Sequence, residues 1–233
     1  MKTLLRVFFH LLYHSFAFTY DLVAGIVSLG HWREWILEVV PFIHGTRTLE
    51  IGHGPGHLHR FLLRRGLVAV ALDESAAMSR LARRRALAKD ADQLAAPSHM
   101  QPSQHPGCTQ INLTRGLAQA LPFRDGAFET VLATFPAEYI ADPQTLSEVR
   151  RCLSDGGRFV VLPAALPRNR LLAWLFRVTG QAPSDAVQVI QQKLQEPFIQ
   201  AAFETKMHVL ERTSGTLIIV VAEKKEKYVQ KTS

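Results

Sequence analysis

Three glycines alternate with other residues in Leu49-Glu50-Ile51-Gly52-His53-Gly54-Pro55-Gly56, and Asp73 follows 21 residues after Gly52. Glycine adopts positive φ freely and lets the backbone approach a ligand with no Cβ in the way. A strand that enters such a turn and leaves it as a helix therefore makes a cradle. A carboxylate ending the second strand, at the distance of Asp73, can accept hydrogen bonds from both hydroxyls of a ribose. The loop alone is a weak signal, because many nucleotide-binding folds use one; the spacing to Asp73 narrows the choice. Dinucleotide folds carry Gly-x-Gly-x-x-Gly, whereas here the third glycine comes one residue earlier and Glu50 stands ahead of the loop. A carboxylate beside the cradle suits a ligand with an amino group better than a diphosphate.

Those residues need a sheet to hold them. From residue 46 onward, short apolar runs at 48–51, 67–72, 109–112, 128–133 and 158–163 read as strands, bounded by Gly, Pro or Asp. Helical patterns lie between them: HLHRFLLRR, ESAAMSRLARRRALAK and DPQTLSEVRRCL. The last has an N-cap in Asp142, Pro143 at its first position and Gly156-Gly157 beyond its end. Strand and helix alternating at this rhythm predict an α/β domain, a parallel sheet covered on both faces, with ligands beyond the carboxyl ends of the strands. After residue 163, helices are expected at 168–178 and roughly 184–202. Two β-like runs, 204–211 and 216–222, flank Ser214-Gly215 and predict an antiparallel hairpin. Residues 90–107 carry three prolines and read as a flexible insertion. The expected division is an N-terminal helix and lid segment at 1–45, a ligand-binding domain at 46–223 and a charged tail at 224–233.

The loop, the carboxylate before it and Asp73 together point to S-adenosylmethionine. The chain resembles class I S-adenosylmethionine-dependent methyltransferases over most of residues 17–163. TLEIGHGPGHL is similar to the family's first motif, and ALDESAAM to its second, with Asp73, Ser75 and Met78 in place. ALPFRDGAFETVLATF followed by LSEVRRCLSDGGRFVVL resembles the signature around the fourth and fifth strands, with Leu121-Pro122-Phe123, Glu148, Arg151 and Gly156-Gly157. The resemblance implies a Rossmann-like three-layer sandwich, its seven-stranded sheet mostly parallel with an antiparallel last strand. By position it implies that Glu50, Gly52, His53, Gly54 and Gly56 surround the methionine part of the cofactor. Asp73 would hold the ribose, with Glu74 near it and Met78 towards the adenine, and Thr134 would close the fourth strand beside the cofactor. Relatives commonly read Gly-Asp-Ala or Gly-Asn-Ala before Leu-Pro-Phe, where this chain has Gly116-Leu117-Ala118. Either the backbone of Leu117 and Ala118 holds the adenine, or the cofactor binds weakly; a protein that only binds, without transferring, stays open. The expected product is S-adenosylhomocysteine.

Composition bounds the partners. At 47% hydrophobic and 20% charged residues the chain is neither disordered nor a polytopic membrane protein. Cys108 and Cys152 cannot make a disulfide framework, so a reducing cytoplasm is the expected compartment, with a location at the inner face of the membrane open. His53, His57 and His59, and His99, His105 and Cys108, lack a recognised metal spacing, and displacement at a sulfonium needs no metal; none is expected.

The formal charge of +7 points to an anionic partner. Part of it recurs every four residues at Lys2, Arg6, His10 and His14, opposite Leu4, Leu5, Phe8, Leu11 and Leu12. This predicts an amphipathic helix over residues 3–18, packed on the domain as a lid or lying on an anionic membrane. Arg6 and Asp21 argue against a span, at roughly 2.5–3.5 kcal/mol for each charge near the bilayer centre. Arg80, Arg83, Arg84, Arg85 and Lys89 make a basic helix, read as a solvated face ahead of an RNA surface; nucleic acid is not the expected partner, and a nucleic-acid-binding or RNA-methylating protein on the same fold is the alternative reading.

Methyl transfer from a sulfonium mainly needs the acceptor positioned and, where necessary, a proton removed. The segment from Tyr20 through His31 to Trp35 resembles the N-terminal region of ubiquinone/menaquinone-biosynthesis methyltransferases and of bacterial phospholipid N-methyltransferases. That resemblance implies a small hydrophobic or lipid-like acceptor. Candidate catalytic residues are Tyr20, His31 and Glu138, the last within Thr134-Phe135-Pro136-Ala137-Glu138-Tyr139. This run is not the Asn/Asp-Pro-Pro-Tyr of enzymes that methylate amide or nucleobase nitrogens. The atom methylated and the oligomeric state stay open.

Overall fold

The computed structural model describes residues 30–87, 111–167 and 195–225. The expected helix at 3–18, Tyr20, the insertion at 90–107, the helix at 168–178 and nearly all of the tail lie outside the described residues.

Chain order is α1 (Trp32–Leu37), β1 (Arg47–Ile51), α2 (His57–Arg64), β2 (Val68–Asp73), α3 (Ala76–Leu87), β3 (Asn112–Arg115), β4 (Phe128–Thr134), α4 (Pro143–Cys152), β5 (Leu153–Pro167), β6 (Phe203–Glu211) and β7 (Gly215–Lys224). The strands form one seven-stranded sheet in the order β3-β2-β1-β4-β5-β7-β6. β1 to β5 run parallel, and β7 lies antiparallel between β5 and β6. This is the mostly parallel, Rossmann-like sheet that the sequence predicts, with its antiparallel hairpin.

The two faces of the sheet bury alternate residues, as a strand's period of two requires. Phe159 and Val161 of β5 join Val131, Ala133, Val220 and Ala222 in a cluster closed by Leu146 and Val149 of α4. Val160 and Leu162 join Leu132, Ile219 and Val221 in the opposite cluster, closed by Trp35 and Ile36 of α1 and Leu58 and Leu62 of α2. A strand buried on both faces reads as an unbroken apolar run, which is why β5 and β7 are visible in the sequence.

Two strands depart from expectation. β3 runs over Asn112–Arg115, past the expected end at 112, and its register sets Arg115 beside Asp73; residues 109 and 110 lie outside the described residues. Its residues are half-buried or exposed, so this edge strand has no apolar alternation to mark its ends. β5 begins at Leu153, not at 158. Leu153 pairs with Phe128 and Arg158 with Thr130, so residues 154–157 bulge out opposite Glu129. A Cβ on Gly157 would stand 2.8 Å from the Ser154 carbonyl oxygen; a side chain there is excluded by backbone.

Capping and ion pairs fix the remaining pieces. The Asp142 carboxylate accepts the Gln144 N–H at 2.8 Å, with Pro143 opening α4, the N-cap arrangement that the sequence predicts. Two turns further, Arg151 donates to the carbonyls of Phe123 (2.7 Å) and Leu121 (3.0 Å) and to both carboxylate oxygens of Glu148 (2.8 Å each). Glu148 in turn accepts the Leu121 N–H at 2.9 Å. This staple fixes the path from β3 to β4 and gives Leu121-Pro122-Phe123, Glu148 and Arg151 a common purpose. At the other edge, the Trp35 indole N–H donates to Ser214 Oγ at 2.9 Å, and Arg212 grips the Glu38 carboxylate with two 2.7 Å bonds. These contacts tie the segment ahead of β1 to the β6–β7 turn.

Candidate functional site

Between β1 and β4 the order of strands reverses, since β2 and β3 extend to one side of β1 and β5 to the other. An open α/β sheet leaves a crevice at such a point, beyond the carboxyl ends of the strands. The glycine loop lies there. Gly52, Gly54 and Gly56 all have positive φ (69°, 51° and 80°), but their surroundings differ. A Cβ on Gly54 would meet nothing within 4 Å, whereas one on Gly56 would lie 2.6 Å from the Ala82 Cβ of α3. Gly54 therefore keeps the crevice open, and Gly56 lets α3 pack against the loop.

The loop is held from within. The Gly52 and His53 N–H groups donate to the Leu72 carbonyl (2.8 and 3.4 Å), and the Gly56 N–H donates to the His53 carbonyl (2.9 Å). The Gly54 N–H donates to Asp73 Oδ2 and the Ser75 N–H to Asp73 Oδ1, each at 2.8 Å. Asp73 thus binds the loop to the end of β2. Because an ionised carboxylate has about four acceptor positions, it retains capacity for two hydroxyl donors.

Glu50 lies beneath the loop, 2% exposed. Burial first, and then the Asp73 charge, raises its carboxyl well above the ordinary carboxylate range. Its Oε2 has no hydrogen-bond partner and stands 4.0 Å from Nδ1 of the equally buried His59. Burial, with the neighbouring His53 adding to it, lowers His59 to about 4. A buried acid with an unpaired oxygen costs stability unless a partner arrives, and an ammonium is the partner that would ionise it.

The three histidines of the loop region do three different things. His53 donates from Nδ1 to the Gly54 carbonyl at 2.8 Å and stands 3.5 Å from Ser79 Oγ; burial lowers its pKa. His57 accepts from Arg85 Nη1 at 2.8 Å, and Arg85 also reaches the Pro55 carbonyl at 3.2 Å. One arginine of the basic helix therefore braces the loop, while Arg80, Arg83 and Arg84 are exposed. Among the described residues, no group of three His, Cys, Asp or Glu side chains could hold a metal.

Several predicted residues gather at this end of the sheet. Glu74 is exposed beyond β2 and accepts at its carbonyl from Arg115 Nε at 3.0 Å. Met78 is buried at 1% exposure behind it, its N–H donating to Ser75 Oγ at 3.3 Å. Leu117 is 50% exposed and Ala118 buried, just past β3, where the Gly116 N–H donates to the Asp73 carbonyl at 3.2 Å. Thr134 ends β4. His31 hydrogen-bonds Glu34 at 3.0 Å on α1, and among the described residues nothing joins it to the loop. Glu138 is exposed on a 3-10 turn, Glu138–Ala141, after β4.

Two residues of the run Thr134-Phe135-Pro136-Ala137-Glu138-Tyr139 take places at the crevice that the sequence assigns to neither. Phe135 has φ +48°, a left-handed conformation rare for an aromatic residue, with its N–H donating to the Leu162 carbonyl at 2.7 Å. The Tyr139 hydroxyl stands so close to Gly52 that a Cβ there would clash with it. The open space over Gly54, the unpaired oxygen of Glu50 and the spare acceptor positions of Asp73 match a ligand with an amino group and a ribose, so the residues present fit S-adenosylmethionine.

Residues 49–161 match the family model described as methyltransferase domain. The chain is 32% identical over 176 residues to a demethylmenaquinone methyltransferase of Symbiobacterium thermophilum, covering 72% of this chain and 63% of that protein. Thus it spans a little under two thirds of that relative's length. A demethylmenaquinone methyltransferase of Thermus thermophilus is 30% identical over 168 residues, or 70% of this chain and 68% of its own length. Among solved structures, an S-adenosylmethionine-dependent methyltransferase from Methanosarcina mazei superposes with a TM-score of 0.55 at 17% identity, covering 81% of this chain and 98% of its own. The chain belongs to the S-adenosylmethionine-dependent methyltransferase family.

Proposed function

We propose that this protein transfers a methyl group from S-adenosylmethionine to a small, apolar acceptor of the quinone-precursor type. The observation that carries the acceptor class is the 30% identity, over two thirds of both chains, to a protein named demethylmenaquinone methyltransferase. When bound, the cofactor supplies an electrophilic methyl group on sulfur, and the chain's part is to hold and orient. In this reading Glu50 pairs with the cofactor's ammonium, Gly52, His53, Gly54 and Gly56 shape the bed of its methionine part, and Thr134 borders it from β4. Asp73 accepts from the ribose hydroxyls with Glu74 alongside, while Met78 and the backbone of Leu117 and Ala118 line the adenine. No side-chain acceptor at position 117 meets the adenine amino group, so affinity rests more heavily on Asp73 and Glu50.

Where the acceptor must lose a proton, we assign its removal to the Glu138 carboxylate, which is exposed directly after β4. Tyr20 and His31 are the remaining candidates. The basic, apolar pattern of residues 1–18 supports a location at an anionic membrane surface, where such an acceptor would dissolve.

The test is incubation of a lipid and quinone extract with the full chain and methyl-labelled S-adenosylmethionine, followed by mass spectrometry. Label in a quinone precursor supports the reading. Label confined to nucleic acid or to phospholipid headgroups overturns the acceptor class.

A further inference from the structure

One side chain reaches across the crevice from β4 to the glycine loop. Tyr139 sits on the 3-10 turn Glu138–Ala141. Its neighbour Ile140 is buried, its own ring packs on the cluster between the sheet and α4, and its carbonyl accepts the Asp142 N–H at 3.1 Å. The turn is thus anchored on both sides, and the phenol is aimed. Its hydroxyl lies over Gly52, close enough that the Cβ of any other residue at 52 would clash with it. This is the bed assigned above to the methionine end of the cofactor, and the inference rests on that reading.

That end carries an ammonium and a carboxylate, and the carboxylate needs donors. Glycine-rich turns usually supply them from backbone N–H groups. Here the N–H groups of Gly52, His53, Gly54 and Gly56 are already committed to Leu72, Asp73 and His53, and Pro55 has none. The carboxylates nearest the loop, Glu50 and Asp73, would repel another. A phenol is a good donor to a carboxylate, and such charge-assisted bonds are among the stronger ones.

We propose that Tyr139 is a positioning residue for the cofactor, its hydroxyl donating a hydrogen bond to the α-carboxylate of S-adenosylmethionine and fixing the methionine end against Gly52. Loss of a hydrogen bond to a charged group corresponds to about a 10- to 100-fold fall in affinity.

Isothermal titration of the wild-type chain and of Tyr139→Phe tests this, with S-adenosylmethionine and its decarboxylated analogue as ligands and Asp73→Ala as a control for the site. Phenylalanine keeps the ring packing and removes only the hydroxyl. The expected result is an affinity for S-adenosylmethionine lowered at least about 10-fold by Tyr139→Phe. Affinity for the decarboxylated analogue should be unchanged, and so should the melting temperature of the ligand-free protein. An equal loss for both ligands, or no loss for S-adenosylmethionine, overturns the proposal; the second result would place the carboxylate on the first turn of α2. If the wild-type chain binds S-adenosylmethionine and Asp73→Ala binds it equally well, the site reading itself fails, and this proposal with it.

Discussion

Glu50 and His59 face each other across 4.0 Å, both at most 2% exposed, with Glu50 Oε2 and both ring nitrogens of His59 lacking a hydrogen-bond partner. Burial drives both towards their neutral forms, the acid upward and the imidazole down to about 4. The pair is a polar couple kept uncharged.

The His59 shift makes stability depend on pH. Its folded value lies below the ordinary histidine value of 6.5, so the unfolded chain binds the extra proton first. The contribution is complete above 6.5 and is lost as pH falls from there to about 4. Glu50 acts in the opposite sense, its raised folded value favouring the native state at low pH and losing that advantage as pH rises past the carboxylate range. Urea unfolding of wild type and His59→Leu between pH 4 and 7 separates the two. The wild type should lose stability towards acid more steeply than the variant; parallel curves would remove His59 from the account.

Cofactor binding should release a proton. An ammonium beside Glu50 favours its ionised form, so affinity should rise with pH, and the proton should appear in the buffer. Calorimetry of S-adenosylhomocysteine binding in two buffers of different ionisation enthalpy measures it directly. Glu50→Gln should bind more weakly and release less; identical proton release in the two proteins would assign it to another group.

Gly54 and Gly56 should fail differently when changed to alanine. Both would force a non-glycine residue into positive φ, at about 1 kcal/mol or somewhat more. Gly54→Ala meets open space, so it should lose little beyond that, but its methyl group enters the crevice and should weaken ligand binding at least about 10-fold. Gly56→Ala additionally presses on Ala82 and should cost about 2–4 kcal/mol. Chemical denaturation and ligand titration of both variants check the contrast, which disappears if the two show the same loss of stability.

Arg151→Ala should be purely structural. It removes the guanidinium donor from the Leu121 and Phe123 carbonyls and leaves the Glu148 carboxylate with only the Leu121 N–H, at a cost of about 2 kcal/mol. Affinity for S-adenosylhomocysteine measured well below the melting transition should not change. A large change in affinity with intact stability would contradict the staple.

What the sequence discloses follows from how local each feature is. Asp142, Pro143 and the helix they open are visible because a cap and its helix are adjacent. The loop and Asp73 are visible because one crossover separates them. The bulge at residues 154–157 is not, since Gly156-Gly157 read equally well as a helix terminator; only the pairing of Leu153 with Phe128 shows that the strand has already begun. Tyr139 and Gly52 meet only because β4 lies beside β1, a fact of strand order that no spacing reveals. Phe135 is hidden for another reason: nothing in an aromatic residue announces positive φ. Glu50 and His59 are close in sequence, but their meeting requires the chain to reverse through three glycines.

The placement of β7 between β5 and β6 governs how the molecule can be made. A ribosome delivers β6 before its neighbour exists, so this strand must wait without a ladder until β7 emerges and inserts. The same hairpin carries Ser214 and Arg212, on which Trp35 and Glu38 depend. A nascent chain stopped short of residue 224 would therefore expose the open edge of β5 and release Trp35 and Glu38 from their partners, making it a client for chaperones until β7 is synthesised.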